Sequence, residues 1–255
     1  MLELYHAPQS TCSQKVRIVL AEKGLDWTER RINLNANEQL KSEYLKLNPN
    51  GVVPTLVHDG RIVTDSSVIC EYLDETFPAP PLSPPGPGGR AAMRIWLRFL
   101  EEVPTAAIRV PSFHAALAHR FNALDDTRFR AEQADVRPIR KHFYRRMGPQ
   151  GFSKDDVATS LDQLDLTLKR MEQALASGPW LLGSDFTLAD VVVIPSVDRL
   201  NDLGLARMWQ GIYPRVTDWY TRFQARPSFK KAYTPGSRLS EFLSIKPIEV
   251  ALPRA

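Results

Sequence analysis

Between a strand-like run and a helix-like run lies the turn Ala7-Pro8-Gln9-Ser10-Thr11-Cys12-Ser13. Its hydroxyls and thiol fall at a helix N-terminus, where unpaired N–H groups and the helix dipole favour anions. Ser10 or Thr11 could donate a hydrogen bond to a bound thiolate, and Cys12 could itself supply one. Plain helix capping by serine and threonine accounts for the same residues. A second feature, Val53-Pro54, follows Asn48-Pro49-Asn50-Gly51 at the start of a short strand. A cis bond there would turn the backbone of Val53 outward at a sheet edge, freeing its N–H and C=O to take an extended peptide as an added strand. A trans proline opening an edge strand fits the spacing equally well. The third feature, Thr64-Asp65-Ser66-Ser67, ends a strand and opens a helix. Ser66 and nearby N–H groups suit a carboxylate, and Asp65 suits an ammonium. Together they suit the zwitterionic end of an amino acid or short peptide, unless Asp65 or Ser66 is simply an N-cap.

These features need a scaffold that brings them together, and the periodicity supplies one. Residues 2–5 predict a short strand, and residues 13–23 place Val16, Val19 and Leu20 on one helical face ending at Gly24. Residues 27–34 alternate as a strand, and 38–47 read as a short helix. Residues 54–58 and 61–64 predict two strands joined at Asp59-Gly60, a hairpin signal. Residues 66–75 carry Val68, Ile69, Tyr72 and Leu73 at helical spacing. The predicted order is βαβαββα, a small mixed sheet with flanking helices. Residues 77–89, FPAPPLSPPGPGG, hold six prolines and three glycines and predict a linker. Beyond it only helices are expected, over 90–100, parts of 115–146, 155–176, 188–203 and 214–226. Ser153 and Thr187 mark helix starts, the latter with Asp190 in a capping-box position and a structural role. The expected organisation is therefore residues 1–76, a linker 77–89, an all-helical unit 90–233 and an irregular tail 234–255.

Composition removes several classes of function. The chain has 255 residues, 43% hydrophobic and 24% charged, enough apolar content for a sizeable core. No apolar run reaches the ~18–20 residues of a membrane span. The first residues lack the basic and apolar regions of a secretory leader. Two cysteines, Cys12 and Cys70, are too few for a disulfide scaffold or a four-ligand zinc site, so a reduced cytoplasmic protein without a metal is expected. The net charge of +4 divides unevenly, with −3 over residues 1–80 and +7 beyond. The densest basic stretch, residues 120–146, is interrupted by Asp125, Asp126, Glu132 and Asp135 and has no nucleic-acid motif, which argues against nucleic acid. Its segment 128–146 could instead recruit anionic substrates.

The succession of a strand, a Ser-containing turn and helix, NPNGVVPTL, a DG hairpin and TDSSVICEYLDETFP resembles the N-terminal domain of glutathione transferases. GPWLLGSDFTLADV is similar to the N-capped core helix of that family's all-helical C-terminal domain. The resemblance spans roughly residues 1–235. It implies a thioredoxin-like α/β domain followed by a helical bundle, with glutathione as co-substrate. It also implies a small hydrophobic electrophile as second substrate, and a homodimer.

Carried over residue by residue, the resemblance implies that Val53, before a cis Pro54, pairs its backbone with the cysteine of glutathione. Asp65-Ser66 stands where relatives usually have Glu-Ser and would hold the γ-glutamyl group. Gln39 and Lys41 lie where relatives bind the glycyl carboxylate. Ser10 matches the activating position best, followed by Thr11 and Cys12, while Tyr5 falls within the strand. Trp96, Phe99, Leu100, Ile108, Phe113, Phe143 and Tyr144 are the expected walls of an electrophile pocket between the domains.

A free thiol titrates near ~8.5, so activation by two units needs about 2.7 kcal/mol of preference for the thiolate. A hydroxyl hydrogen bond and a helix N-terminus could provide it. TDSSVICEYLDETFP and the stretch through HFYRRMGPQGFS also resemble the bacterial glutathione-dependent β-etherases, which cleave β-aryl ethers of lignin-derived compounds. Thiol transfer or deglutathionylation led by Cys12, and a non-catalytic binding module, are the alternatives.

Overall fold

The computed structural model describes residues 1–248; residues 249–255 of the expected tail lie outside the described residues. Four strands, β1 (Leu2–His6), β2 (Thr28–Arg31), β3 (Thr55–His58) and β4 (Arg61–Thr64), form one sheet in the order β2-β1-β3-β4. β1 and β2 run parallel, joined by α1 (Thr11–Glu22), and the other neighbours are antiparallel. Asp59 and Gly60 both take positive φ, as a two-residue hairpin between right-twisted strands requires. The expected helix over 38–47 is divided into a 3₁₀ turn, Glu38–Leu40, and α2 (Ser42–Leu45), because Lys41 between them is extended. α3 (Ser66–Thr76) completes the predicted βαβαββα unit. Leu4, Val16, Leu20, Leu56, Ile69 and Leu73 are fully buried between the sheet and its helices.

The proline-rich segment is shorter as a linker than its composition implies. α4 (Gly86–Glu102) starts inside it, with Pro87 in the first turn, where the missing N–H costs no helical hydrogen bond. What remains is strapped to the fold. Lys23 Nζ reaches Asp74 Oδ1 at 2.5 Å and the Pro80 carbonyl, and Leu82 donates to Asp74.

Among the described residues every further element is helical, as expected. Short pieces α5 (Pro104–Ala107) and α6 (Arg109–Ser112) lead through a π turn, Phe113–Leu117, to α7 (Asp126–Phe129) and α8 (Lys141–Met147). Longer helices follow: α9 (Lys154–Ala174), α10 (Leu188–Asp202), α11 (Pro214–Gln224) and the short α12 (Pro227–Ala232). α10 is buried along nearly its whole length and packs against α1 and α4, joining the two units. Asp190 in its first turn is fully buried and accepts from the Leu181 and Thr187 N–H groups, the Thr187 hydroxyl and Trp219 Nε1. Its role is structural. The tail folds back on the first unit: Gln14 Nε2 donates to the Ser237 carbonyl at 2.8 Å and Arg17 to the Ser237 hydroxyl at 3.1 Å. No helix among the described residues is long and apolar enough to cross a membrane.

Candidate active site

Strand register decides what can meet. Tyr5 pairs with Thr55, and Thr55 with Thr64, so the C-terminal end of β1, the start of β3 and the end of β4 share one edge of the sheet. The turn after β1, the Val53-Pro54 segment before β3 and Asp65-Ser66 after β4 therefore emerge side by side.

Ser10 is the N-cap of α1, its Oγ accepting from the Ser13 N–H at 3.3 Å. The capping role is thus real, and it leaves the hydroxyl at the helix N-terminus beside Thr11 and Cys12 in the first turn. Both cysteines are free thiols; burial pushes the Cys70 thiol well up, and Cys12 is part-exposed.

Val53-Pro54 is cis. The loop in front of it is held from below: the Val52 carbonyl accepts from Tyr44 Oη at 2.7 Å and Asn48 Nδ2 at 2.9 Å, and both donors also reach Thr55 Oγ1. Burial raises the Tyr44 phenol to about 12, so it stays a donor. Gly51 has φ +61°, and a Cβ there would lie 3.0 Å from Leu40 Cδ2 and 3.2 Å from Pro138 Cδ, so the turn needs glycine. Among the described residues the N–H and C=O of Val53 have no backbone partner.

Asp65 takes φ +70° and caps α3, its Oδ1 accepting from the Ser67 and Val68 N–H groups at 3.0 and 3.2 Å. Its second carboxylate oxygen and the Ser66 hydroxyl have no hydrogen-bond partner among the described residues.

A cavity of roughly 1050 Å³, its open mouth included, lies between this edge and the helical unit. Ser10, Thr11, Cys12, Gln39 and Val53 line it from the first unit, and Ile108, Phe113, Phe143 and Tyr144 from the second. The three aromatic rings pack edge to face, with Phe113 5.1 Å from Phe143 and 5.6 Å from Tyr144 between centroids. Gln39 Oε1 is buried there without a partner among the described residues. Such an acceptor fits a peptide-like ligand that brings N–H donors.

Other expected residues sit elsewhere. Lys41 is exposed, reaches only Glu38 among the described residues, at 3.4 Å, and is off the cavity wall. Pro54, Asp65 and Ser66 lie at the sheet edge without lining the cavity. Trp96, Phe99 and Leu100 are not on the wall. Trp96 and Leu100 belong to the buried face of α4, which packs on α10, and Arg170 lies over the rings of Trp96 and Phe99 at 4.8 and 4.2 Å. An amphipathic helix buries its apolar stripe against the largest apolar neighbour, and here that neighbour is α10.

Five arginines line the cavity and escaped the motif reading: Arg109, Arg120, Arg137, Arg140 and Arg199. Arg120, Arg137 and Arg140 fall within the basic stretch 120–146, which has no spacing that says which guanidiniums turn inward, and Arg109 and Arg199 lie outside it. Arg137 donates to Asn37 Oδ1 at 2.8 Å and lies 4.0 Å over the Tyr144 ring. Arg120 bonds Asn35 Oδ1 at 2.5 Å, and Arg199 bonds the Gln9 carbonyl at 2.6 Å.

A four-stranded thioredoxin-like domain with a cis-proline loop, a helical second domain and a cavity between them define a glutathione-transferase architecture. The chain belongs to the glutathione S-transferase family. Residues 4–81 match the family model of the glutathione S-transferase N-terminal domain, and residues 154–222 that of the C-terminal domain. A probable maleylacetoacetate isomerase of Caenorhabditis elegans is 32% identical, covering 79% of this chain and 80% of the relative. Protein LigF of Sphingobium sp. is 27% identical, covering 93% of this chain and 95% of that protein. The crystal structure of the beta-etherase LigF superposes with a TM-score of 0.81 at 28% identity, over 91% of this chain and 98% of that one.

Proposed function

We propose that this protein is a glutathione-dependent transferase whose cavity activates the glutathione thiolate against a hydrophobic or aromatic electrophile, aryl ethers of lignin-derived compounds among them. The observation that carries the reading is the facing of two walls. The α1 N-terminus with Ser10, Thr11 and Cys12 lies on one side, and Phe113, Phe143 and Tyr144 lie on the other.

Glutathione is the first substrate. The free N–H and C=O of Val53 pair with its cysteinyl backbone, as an added strand would. The Ser66 hydroxyl takes the γ-glutamyl carboxylate, and the unshared oxygen of Asp65 takes its ammonium. Gln39 Oε1 accepts a backbone N–H at the glycyl end, while Lys41 has room only to attract that carboxylate from outside. With the thiol sulfur held before α1, the Ser10 hydroxyl donates to the thiolate, and the first-turn N–H groups add to its stabilisation. The sulfur then attacks the electrophilic carbon. A carbon–sulfur bond forms, the carbon–oxygen or carbon–halogen bond breaks, and the leaving phenolate or halide departs with the electron pair. Similarity to a protein called a beta-etherase supports aryl ethers as the first substrates to try. A cytoplasmic two-fold dimer, the usual assembly in this family, completes the reading.

A second reading follows from Cys12, which lines the same cavity part-exposed. Its thiolate would attack the glutathionyl sulfur of a mixed disulfide, forming a Cys12–glutathione disulfide as the original S–S bond breaks and the other sulfur leaves as thiolate, which makes thiol transfer the reaction. Titrating the thiol of protein-bound glutathione by its thiolate absorbance, against a glutathione-free blank, separates the two. A bound pKa well below the free value supports transferase chemistry. Binding with an unshifted value favours Cys12, and absence of binding removes both.

A further inference from the structure

Among the five cavity arginines, three have their guanidinium engaged by a neighbouring oxygen, and two do not. Arg109 and Arg140 make no hydrogen bond or ion pair through their side chains among the described residues, and no carboxylate lines the cavity. Glu101, whose charge reaches both, is already bonded to Lys15 Nζ and Ser67 Oγ at 2.5 Å each. Burial and the like charge of Arg109 pull Arg140 down to about 10, while a thiolate at Cys12 would pull it back up. Two unpaired guanidiniums that repel each other beside the reacting end of the cavity are costly unless an anion completes them.

Their place on the helices specifies which anion. Arg109 stands one helical turn before Phe113, whose N–H donates to the Arg109 carbonyl, and Arg140 stands one turn before Tyr144 with the same contact at 3.0 Å. Residues four apart share a helix face, so each arginine is presented beside an aromatic ring, and those two rings are 5.6 Å apart. The combination is an aromatic slot with a cationic end. Both arginines belong to the helical wall, whereas the glutathione-binding groups named above come from the first domain.

We propose that Arg109 and Arg140 form an anion subsite for the second substrate, so that the preferred electrophiles are aromatic acids carrying a carboxylate on the ring system that is attacked. This rests on the transferase reading for the reaction, but not for the binding of the acid itself. Glutathione also carries carboxylates, and the same chemistry could serve it; the test separates the two sources.

The probe pair is a chlorodinitrobenzoate and its methyl ester. Both lose chloride to the glutathione thiolate, with a carbon–sulfur bond replacing the carbon–chlorine bond. The kcat/KM of each is divided by its uncatalysed rate with glutathione. The wild-type protein is expected to favour the acid by about tenfold or more, the worth of a charge-assisted hydrogen bond. Arg109→Gln and Arg140→Gln are each expected to cut that ratio about tenfold, with Arg140→Lys restoring part of it. Calorimetry with a dinitrobenzoate lacking the leaving group, in the absence of glutathione, reads the subsite directly and needs no turnover. Preference for the ester, an unchanged ratio in both variants, or a loss confined to glutathione affinity overturns the proposal. Binding of the dinitrobenzoate that depends on both arginines, in a protein that turns over neither ester nor acid, upholds the subsite and removes the transferase reading.

Discussion

Lys15 Nζ lies 2.5 Å from Glu101 Oε1, so a lysine that is 1% exposed in the first domain is neutralised by a carboxylate from the second. Thr105 Oγ1 accepts from the same ammonium at 3.0 Å, and the Ser67 hydroxyl donates to the same carboxylate oxygen. Burial works against the Lys15 charge, but the Glu101 carboxylate, with any thiolate at Cys12, outweighs it and holds the ammonium protonated. The pair joins α1 to α4, with Lys15 one helical turn after Thr11. Lys15→Met leaves the part-exposed Glu101 carboxylate without its counter-charge and is expected to cost about 1–3 kcal/mol, and Lys15→Met with Glu101→Leu distinctly less. Urea unfolding of the two variants checks this.

Ser10 has a capping task and a proposed catalytic one, and they differ in size. Loss of the cap in Ser10→Ala should cost about 1 kcal/mol of stability. On the transferase reading the same variant raises the bound-thiol pKa by about one unit and lowers kcat about tenfold. The fall should exceed that of Cys12→Ala. Steady-state kinetics with both variants decides, and a larger fall at Cys12 would favour thiol transfer.

Gly51 holds the loop that presents Val53. Gly51→Ala brings a methyl group against Leu40 and Pro138 at a φ of +61° that alanine rarely adopts. The expected cost is about 1–3 kcal/mol. A raised KM for glutathione should accompany it, because Val52 and Val53 move with the turn. Thermal unfolding and glutathione titration read the two effects separately.

His6 is buried, with Nε2 2.9 Å from Glu29 Oε1, and burial followed by the charge of Arg17 lowers its pKa from 6.5 to about 4. The unfolded chain therefore binds a proton between those values that the folded chain refuses. Stability from this group is complete above pH 6.5 and is lost as the pH falls toward 4. Between pH 7 and pH 5 the loss should be about 2 kcal/mol in the wild type and absent from this source in His6→Gln. Urea unfolding of both proteins at the two pH values measures the difference.

Asp190 should be the most sensitive structural acid. Burial raises its carboxyl to about 6 despite its donors. Asp190→Ala strands the Leu181 and Thr187 N–H groups and the Trp219 indole, at an expected cost of about 3 kcal/mol or more. Soluble yield and thermal midpoint will report it.

Local chemistry was readable wherever one short segment sets its own conformation. Asp59-Gly60 specifies its hairpin, Ser153 and Thr187 their helix starts, and NPNG a turn whose glycine takes positive φ. The alternation of strand and helix periods placed the first domain, and the absence of strand periods placed the second. Errors clustered where a neighbour decides. Gly86–Gly89 looks like linker by composition, yet it joins a helix whose later residues bury Met93, Trp96 and Leu97 against the core. Trp96, Phe99 and Leu100 are large and apolar like Phe113, Phe143 and Tyr144, and only packing puts the second set on the cavity wall and keeps the first off it.

The sequence by itself determined the family, the order of elements and the candidate residues of the β1–α1 turn, the Val53-Pro54 segment and Asp65-Ser66, since each is coded within a few consecutive positions. Tertiary structure alone decided that these meet at one sheet edge, through a register linking Tyr5, Thr55 and Thr64. It alone turned Arg109 and Arg140, thirty-one positions apart in the chain, toward the same cavity. A helical face is chosen by what the rest of the chain leaves uncovered, and that is a property of the packed whole rather than of any segment.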